Sequence, residues 1–583
     1  MATWAEDSAS EKLIVAAIDF GTTYSGYAFA FKKDYTSDCQ NIRIHGATFK
    51  GGLSLKAPTC VLFDEFGNFH SFGFDAENTY AELTAEDEHH EWYYFRRFKM
   101  MLYSNPSIST QSILLDDKGK SLSAMTVFSA IISYLRRQAV SKINERSIGA
   151  GFMDEEISWV LTVPAIWSDQ AKKFMREAAK KAGIRSHQLD IALEPEAASI
   201  HCKHISVNKQ ELSDGDDCSG MESLRPGTRY MVLDAGGGTI DITVQEIQED
   251  GTLHQVYMAN GGEWGGTRVD QEYEDFLIAI VGKEIWNQFK KRHMDSYLEI
   301  LRDFETKKRT ITPDTKNRIT FKVPVALREV YDEIHNLDSS GDIKGHYWLW
   351  KGDKLRVDAV ETKRLFSSTC EAIVNHVQKV FREKDTADVS VILMVGGFSE
   401  SPMLKAAVKE RFSKRIIIPA ETGLSVLRGA VLFGFDTKVI SLRVMKHTYG
   451  IQSIRPFRKG KDPDSTKTMV KGKLFCVDRF SKHVNKGQSV NINEETEEID
   501  YSTVEDNAQM ALKVYITDRY ELDYCDTDGC CYIGQLVVSL PTDKPLSERG
   551  VKVKMKFGGT ELAVSAKVTA TGETTHAEFC LFE

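Results

Sequence analysis

Tyr230–Ile247 reads YMVLDAGGGTIDITVQEI. Met231, Val232 and Leu233 form an apolar run with the length and flanks of a buried strand. The run breaks at Asp234, Gly236, Gly237 and Gly238 follow, and Thr239–Val244 alternates as a second strand. Strand, glycine turn, strand is a hairpin whose tip has no side chains to keep a ligand away. Successive glycines reach positive φ and can turn their N–H groups toward an anion. Asp234 and Asp241, one on either side, are placed to hold a hydrated divalent cation. Taken alone, the stretch reads either as a phosphate-binding loop with its metal carboxylates or as a plain glycine-rich hairpin turn.

The same plan occurs far upstream. Leu13–Ile18 is a second apolar strand, and it runs into Asp19-Phe20-Gly21-Thr22-Thr23-Tyr24-Ser25, after which Tyr24–Phe31 alternates as a partner strand. Two such hairpins point to an internally duplicated α/β domain whose halves offer a loop each to one ligand. Ser158–Val163 is another strand, and Ser168 or Asp169 caps a helix that runs through Ala182 and stops at Gly183. Ile191–Leu193 leads to Glu194, just before a helix started by Pro195. A carboxylate there either points into the crevice of the fold or is a helix-start charge favoured by the dipole. Asn260–Gly266, with Gly265 and Gly266, is a third glycine turn, followed by a helix from Val269. Val389–Val395 is a strand closed by Gly396, Gly397, Phe398 and Ser399, with a helix from Pro402. Tyr297–Arg309 is helical, and its ending, Glu305 to Arg309, reads on charge alone as a solvated face. Trp92, Phe95, Phe98 and Leu102 fall at helical spacing, which predicts an amphipathic helix over a core. Ser206–Gly227 is polar and reads as a disordered surface loop.

A chain of 583 residues requires two or more cores. Net charge −10 argues against nucleic acid as the main partner. Ten scattered cysteines form no disulfide framework and fit a reducing compartment. The acidic start lacks the plan of a signal peptide, and no apolar run approaches the ~20 residues that span a bilayer. The expectation is a cytoplasmic protein with no membrane partner. The final Cys580-Leu-Phe-Glu583 reads as a strand end rather than a prenylation box. Cys525, Cys530 and Cys531 read as a hairpin loop of reduced thiols turning at Asp528-Gly529, and His89-His90 as surface.

Together IDFGTTYS, VPAIWSDQAKKFMREAAKKAGI, LEPEAA, DAGGGTIDI and VGGFSESP resemble, in order and spacing, the superfamily of actin, sugar-kinase and seventy-kilodalton heat-shock-protein ATPases. The chain is most similar to a divergent branch of the heat-shock family. The resemblance implies a duplicated actin-like ATPase fold, two lobes with a nucleotide cleft, over residues 1–435. It implies an interdomain linker over 436–446 and a small all-β sandwich that binds peptide, without a helical lid, over 447–583. ATP or ADP with Mg2+ is the implied cofactor. Gly21, Thr22, Thr23 and Tyr24 correspond to the first phosphate loop, and Gly236, Gly237, Gly238 and Thr239 to the second. Asp19, Glu194, Asp234 and Asp241 correspond to the carboxylates that orient water and, for Asp19 and Asp234, hold magnesium through water. Gly265 and Gly266 fall on the nucleotide side. Glu305, Lys308, Arg309 and Thr312 would cradle adenosine, with Gly396, Gly397 and Ser399 opposite.

Implied partners are extended segments of client proteins, co-chaperones and nucleotide-exchange factors, in a stress-response setting. Two positions depart from the family. Glu77 stands where a phosphate-touching Lys is expected, and Glu400 where an Arg packs near adenine. Glu77 either repels the phosphate or turns outward while another cation takes its place. The expected function is a nucleotide-controlled chaperone with weak ATPase activity. The alternative is a nucleotide-binding scaffold or sensor with little or none.

Overall fold

The computed structural model describes residues 12–49, 52–105, 107–146, 152, 154–205, 210–212, 221, 224–336, 341–492, 494–504, 506–558 and 561–579. The acidic start, most of Ser206–Gly227 and Cys580–Glu583 lie outside the described residues. Within that polar segment, Gln210–Leu212 is a strand paired with Ile417–Pro419 rather than loop.

Both apolar runs are strands buried along their length. Ile14–Phe20 pairs in parallel with Ile157–Val163, which pairs in parallel with Leu189–Leu193. On its other side Ile14–Phe20 forms the expected hairpin with Tyr24–Phe31, and Arg43–Ile44 follows antiparallel. The second sheet repeats this order and these directions. Arg415–Pro419, Val391–Val395 and Arg229–Ala235 run parallel, and Ile240–Ile247 and Leu253–Gly262 continue antiparallel. The duplication read from two hairpins therefore extends over five strands in each sheet. A strand of one sense buried on both faces needs apolar residues throughout, and runs such as Tyr230–Leu233 and Val391–Val395 supply them.

One core lies around the first sheet, with Phe29, Phe128 and Trp159. A second lies on the other side of the second sheet, with Met231, Tyr273 and Phe304. A third joins the two sheets: Val15 and Ala17 of one and Val232 and Leu393 of the other meet residues of helices Glu194–Lys203 and Thr422–Phe435. Those helices pack so closely that a Cβ on Gly429 would overlap the Ala197 carbonyl. Helix Asp169–Lys181 starts as predicted, with the Ser168 hydroxyl accepting from the Ala171 N–H at 3.2 Å.

The helix predicted for Trp92–Leu102 is not formed. Tyr93–Arg96 is a strand paired with Cys60–Phe63, followed by a tight turn at Phe98–Met100 and a single helical turn at Met101–Ser104. Cross-strand partners outweigh a helical spacing that spans only three turns.

Ile440–Val444 is a strand of the second sheet, parallel to Leu253 and its neighbours and antiparallel to Ser489–Asn491. Beyond it, among the described residues, the chain forms strands and turns with no α-helix. A five-stranded antiparallel sheet runs Lys467–Val470, Lys473–Val484, Thr448–Pro456, Gln509–Thr517, Cys530–Ser539. A four-stranded sheet runs Ile499–Tyr501, Val551–Gly558, Glu561–Val568, Thr574–Phe579. Inward residues of both, Ile451, Val514 and Val538 with Val553 and Val564, share one core. The chain turns at Gly529 (φ 84) as expected, but Cys530 and Cys531 begin the strand Cys530–Ser539 rather than lying in the loop with Cys525. Among the described residues, no helix is long and apolar enough to cross a membrane.

Candidate functional site

Four strand ends meet at one place, as ligand sites of open α/β sheets do. Asp19 ends the first strand, opposite Gly26. Asp234 and Asp241 face each other across the second hairpin, next to its glycine tip. Glu194 opens the helix that follows Leu189–Leu193. Gly396, at φ 83, follows Val391–Val395, and a Cβ there would lie 2.3 Å from Asp234 Oδ1.

The carboxylates perturb one another. Burial, then Glu194, Asp241 and Asp19, pushes Asp234 well above the usual carboxylate range. Burial and then Glu194 push Asp241 up to about 7. Burial raises Glu194 as well, with Lys99 opposing it. Asp19 goes the other way: burial works against its charge, but Lys56, Lys99 and the Thr162 hydroxyl together outweigh burial and hold it low. Lys56 Nζ lies 2.5 Å from Asp19 Oδ2 and donates to the Gly423 carbonyl at 2.6 Å. Lys99 Nζ lies 2.8 Å from Glu194 Oε1 and 4.9 Å from the Trp167 ring centroid. Thr162 Oγ1 donates to Asp19 Oδ1 at 2.9 Å, and the Ile166 N–H to Asp241 Oδ1 at 2.8 Å. Asp241 Oδ2 is buried with no hydrogen-bond partner among the described residues.

The glycine turns converge on this cluster. A Cβ on Gly237 would lie 2.4 Å from Thr23 Oγ1, and one on Gly238 2.3 Å from Met100 Sδ and 2.7 Å from Thr22 Oγ1. The tips of the two hairpins therefore touch, which explains glycine there. The Gly265, Gly266 and Thr267 N–H groups donate to the carbonyls of Gly238, Gly236 and Gly237 at 3.1, 3.1 and 2.8 Å. The third turn thus braces the second. Thr239 is buried at the tip, its carbonyl accepting from Gly236 at 3.0 Å. At Gly21 a Cβ would collide with the Tyr24 carbonyl.

The end of helix Met294–Lys308 comes up beside the first loop, with Arg309 stacked 5.8 Å from the Tyr24 ring centroid. Glu305 binds Lys308 at 2.5 Å and Arg309 at 2.8 Å, and Lys308 also reaches Asp270 at 2.7 Å. The solvated face read from charge alone is thus an ordered ion-pair cluster. Thr312 and Thr315 bond each other, the Thr312 N–H donating to Thr315 Oγ1 at 3.0 Å. Ser399 is fully buried and its hydroxyl donates to the Val395 carbonyl at 2.6 Å, so it holds the turn. Gly397 is exposed with open space around it. Glu400 accepts from Thr422 Oγ1 at 3.3 Å and from the Gly423 N–H at 3.4 Å.

Glu77 turns to helix Met294–Lys308, where Nε and Nη2 of Arg302 both donate to Oε2 at 3.2 Å. Sequence reasoning missed Lys56 altogether, and the helix it predicted for Trp92–Leu102 left Lys99 off the buried stripe. Lys99 is 2% exposed, because the chain leaves the strand Tyr93–Arg96 through a left-handed Arg97 (φ 54) into a tight turn.

The family model described as "Hsp70 protein" matches residues 93–339. The chain is 31% identical to Heat shock 70 kDa protein 12A of Homo sapiens, over 96% of this chain and 90% of that one. It is 31% identical to Heat shock 70 kDa protein 12B of Homo sapiens, over 97% and 90%. Chaperone protein DnaK of Nitrosopumilus maritimus is 23% identical, over 54% of this chain and 45% of the relative. The chain belongs to the Hsp70 family, whose ATPase fold is actin-like. It is a divergent, Hsp70-like ATP-binding protein, similar to heat shock 70 kDa proteins 12A and 12B.

Proposed function

We propose that residues 1–435 form a two-lobed actin-like ATPase unit, 436–446 a linker, and 447–583 a β-sandwich that binds extended peptide under nucleotide control. The observation that carries this reading is the repeated five-strand order, whose two glycine hairpins and four carboxylates meet at one point. The donor set fits magnesium: hard oxygens, more carboxylates than ammonium groups, and an orphaned Asp241 Oδ2. Asp19 and Asp234 would hold the ion through water, and when bound it neutralises charge on the terminal phosphates. Gly21, Thr22, Thr23 and Tyr24 with Gly236–Thr239 take the phosphates, and Gly265 and Gly266 buttress that loop. Glu305, Lys308, Arg309 and Thr312 face adenosine, with Gly396, Gly397 and Ser399 opposite, Ser399 only by holding its turn. Asp241, poised near 7, and Glu194 orient water and take up its proton. Lys99 and Lys56 supply the cations that Glu77 does not.

The β domain offers exposed Met469, Leu474, Tyr532 and Val537, apolar contacts of the kind that accompany strand-like peptide capture. By analogy with the family, the proposed partners are clients with extended segments, co-chaperones and exchange factors, in a cytoplasmic, stress-related setting. Peptide affinity measured with ATP and with ADP tests the coupling, and equal values would sink it. Failure to bind ADP–magnesium at millimolar nucleotide would remove the site itself. A second reading, a scaffold or sensor with little hydrolysis, is favoured by Lys56 and Lys99 both being held to carboxylates. Single-turnover hydrolysis by the wild type separates the two.

A further inference from the structure

Asp87, His89 and His90 lie on the turn that joins helix Phe74–Ala85 to strand Tyr93–Arg96, outside the site described above. Sequence reading put both histidines on the surface. His89 is instead buried, at 6% exposure, edge-on to Tyr80 with ring centroids 6.0 Å apart. His90 stays exposed, its ring 4.4 Å from that of His89. Asp87 Oδ1 is 2.9 Å from His90 Nε2. One ligand atom from each of the three residues lies within 4.8 Å of the other two. His89 Nδ1 is buried and has no hydrogen-bond partner among the described residues. A buried ring nitrogen left unpaired costs free energy, which a bound cation would recover.

We propose that Asp87, His89 and His90 bind a borderline divalent transition-metal ion of the zinc class. Two imidazole nitrogens, one carboxylate oxygen and a water make a four-coordinate set suited to zinc. Magnesium and calcium, which prefer oxygen ligands, are poorly served by it. Two cations oppose the charge. Lys118 Nζ donates to the His89 carbonyl at 2.8 Å and Lys120 Nζ to the His90 carbonyl at 3.1 Å. Both ammonium groups are anchored on the turn, so they weaken the site relative to a structural zinc centre while fixing the backbone that carries its ligands. A metal here would clamp the turn between the helix of Glu77 and the strand that leads to Arg97 and Lys99. Arg97 in turn pairs with Asp270 at 2.6 Å.

The test is titration of the full chain, stripped of metal, with zinc against a colorimetric chelator and with cobalt followed by visible absorption. His90→Ala and Asp87→Asn change exposed side chains and leave the fold in place. The expected result is one equivalent of cobalt with a nitrogen-and-oxygen spectrum. Its affinity should fall in both variants by more than the ~10-fold that loss of an outer-shell partner costs, with excess magnesium failing to compete. Cys530→Ser separates this site from the thiol loop. Three outcomes overturn the proposal: no binding, binding unchanged in both variants, or a sulfur-to-cobalt charge-transfer band that disappears in Cys530→Ser.

Discussion

Arg443 and Glu196 form a two-pronged ion pair between the strand Ile440–Val444 and the helix that starts at Glu194. Arg443 Nε donates to Glu196 Oε1 at 2.8 Å, and Nη2 bonds the second carboxylate oxygen. Glu196 is 2% exposed and lies two residues after Glu194, the carboxylate that Lys99 holds. The proposed linker is thus tied, through one buried pair, to the element that opens the candidate site. Arg443→Ala strands a buried carboxylate and is expected to destabilise the chain by about 3 kcal/mol. The double variant Glu196→Gln, Arg443→Met should regain more than half of that. Urea midpoints for the three proteins decide it. A loss below ~1 kcal/mol for Arg443→Ala would class the pair with solvated surface bridges.

In the proposed site Lys99 and Lys56, rather than residue 77, supply the cations. Lys99→Ala is expected to slow single-turnover ATP hydrolysis by ~10²–10³. Glu77→Lys should change the rate by much less, because residue 77 points at Arg302. It should also lower stability slightly by setting two cations side by side. Equal rate effects from the two substitutions, or acceleration by Glu77→Lys to the level of an efficient ATPase, would contradict this assignment.

What was legible in the sequence followed from local pattern. The hairpins at Asp19 and Asp234 are apolar runs broken by Asp and Gly, and they form as predicted because each strand has its partner within a few residues. Glu194 was visible for the same reason, a strand end meeting a Pro-started helix. Lys56 and Lys99 were not. Each reaches its carboxylate from a distant segment, Lys56 from a loop beyond Ser54 and Lys99 from a tight turn whose 3.6-residue spacing imitated a helix. Ser399 shows the opposite limit, since the resemblance put it beside the ligand while its hydroxyl satisfies a carbonyl four residues back. His89 went astray because burial of a turn depends on which strand covers it.

Gly396 and Gly397 are neighbours with different constraints. Gly396 has φ 83 and ψ 158, and any Cβ would press on Asp234 Oδ1 and the Ala235 carbonyl. Gly397 has nothing within 4 Å of the position its Cβ would take. Gly396→Ala is expected to cost about 2–3 kcal/mol in stability from the backbone conformation alone, and to weaken ADP–magnesium binding by displacing Asp234. Gly397→Ala should stay within about 0.5 kcal/mol of wild type. Thermal unfolding with and without nucleotide measures both, and similar losses at the two positions would refute the argument.

His483 sets the acid limit of the C-terminal sheets. Tyr501 OH donates to Ser481 Oγ at 2.9 Å, so His483 Nε2–H must donate to the tyrosine oxygen, also at 2.9 Å. Nδ1 is then the unprotonated nitrogen, buried with no partner among the described residues. A second proton there would have no acceptor, and burial accordingly holds the group down at about 4. Between the unfolded value of 6.5 and 4 the unfolded chain binds a proton that the folded chain does not. Stability is therefore present in full above 6.5 and declines as pH falls through this window. The slope is about 1.4 kcal/mol per pH unit and the total about 3 kcal/mol. His89, held at about 4 in a separate core, adds its own proton over the same range. In His483→Gln the slope should drop by one proton while the His89 contribution remains. Urea unfolding between pH 7 and 4, followed by tyrosine fluorescence of the C-terminal sheets, reads this directly. Parallel pH profiles for wild type and His483→Gln would show that the ring reaches solvent and titrates freely.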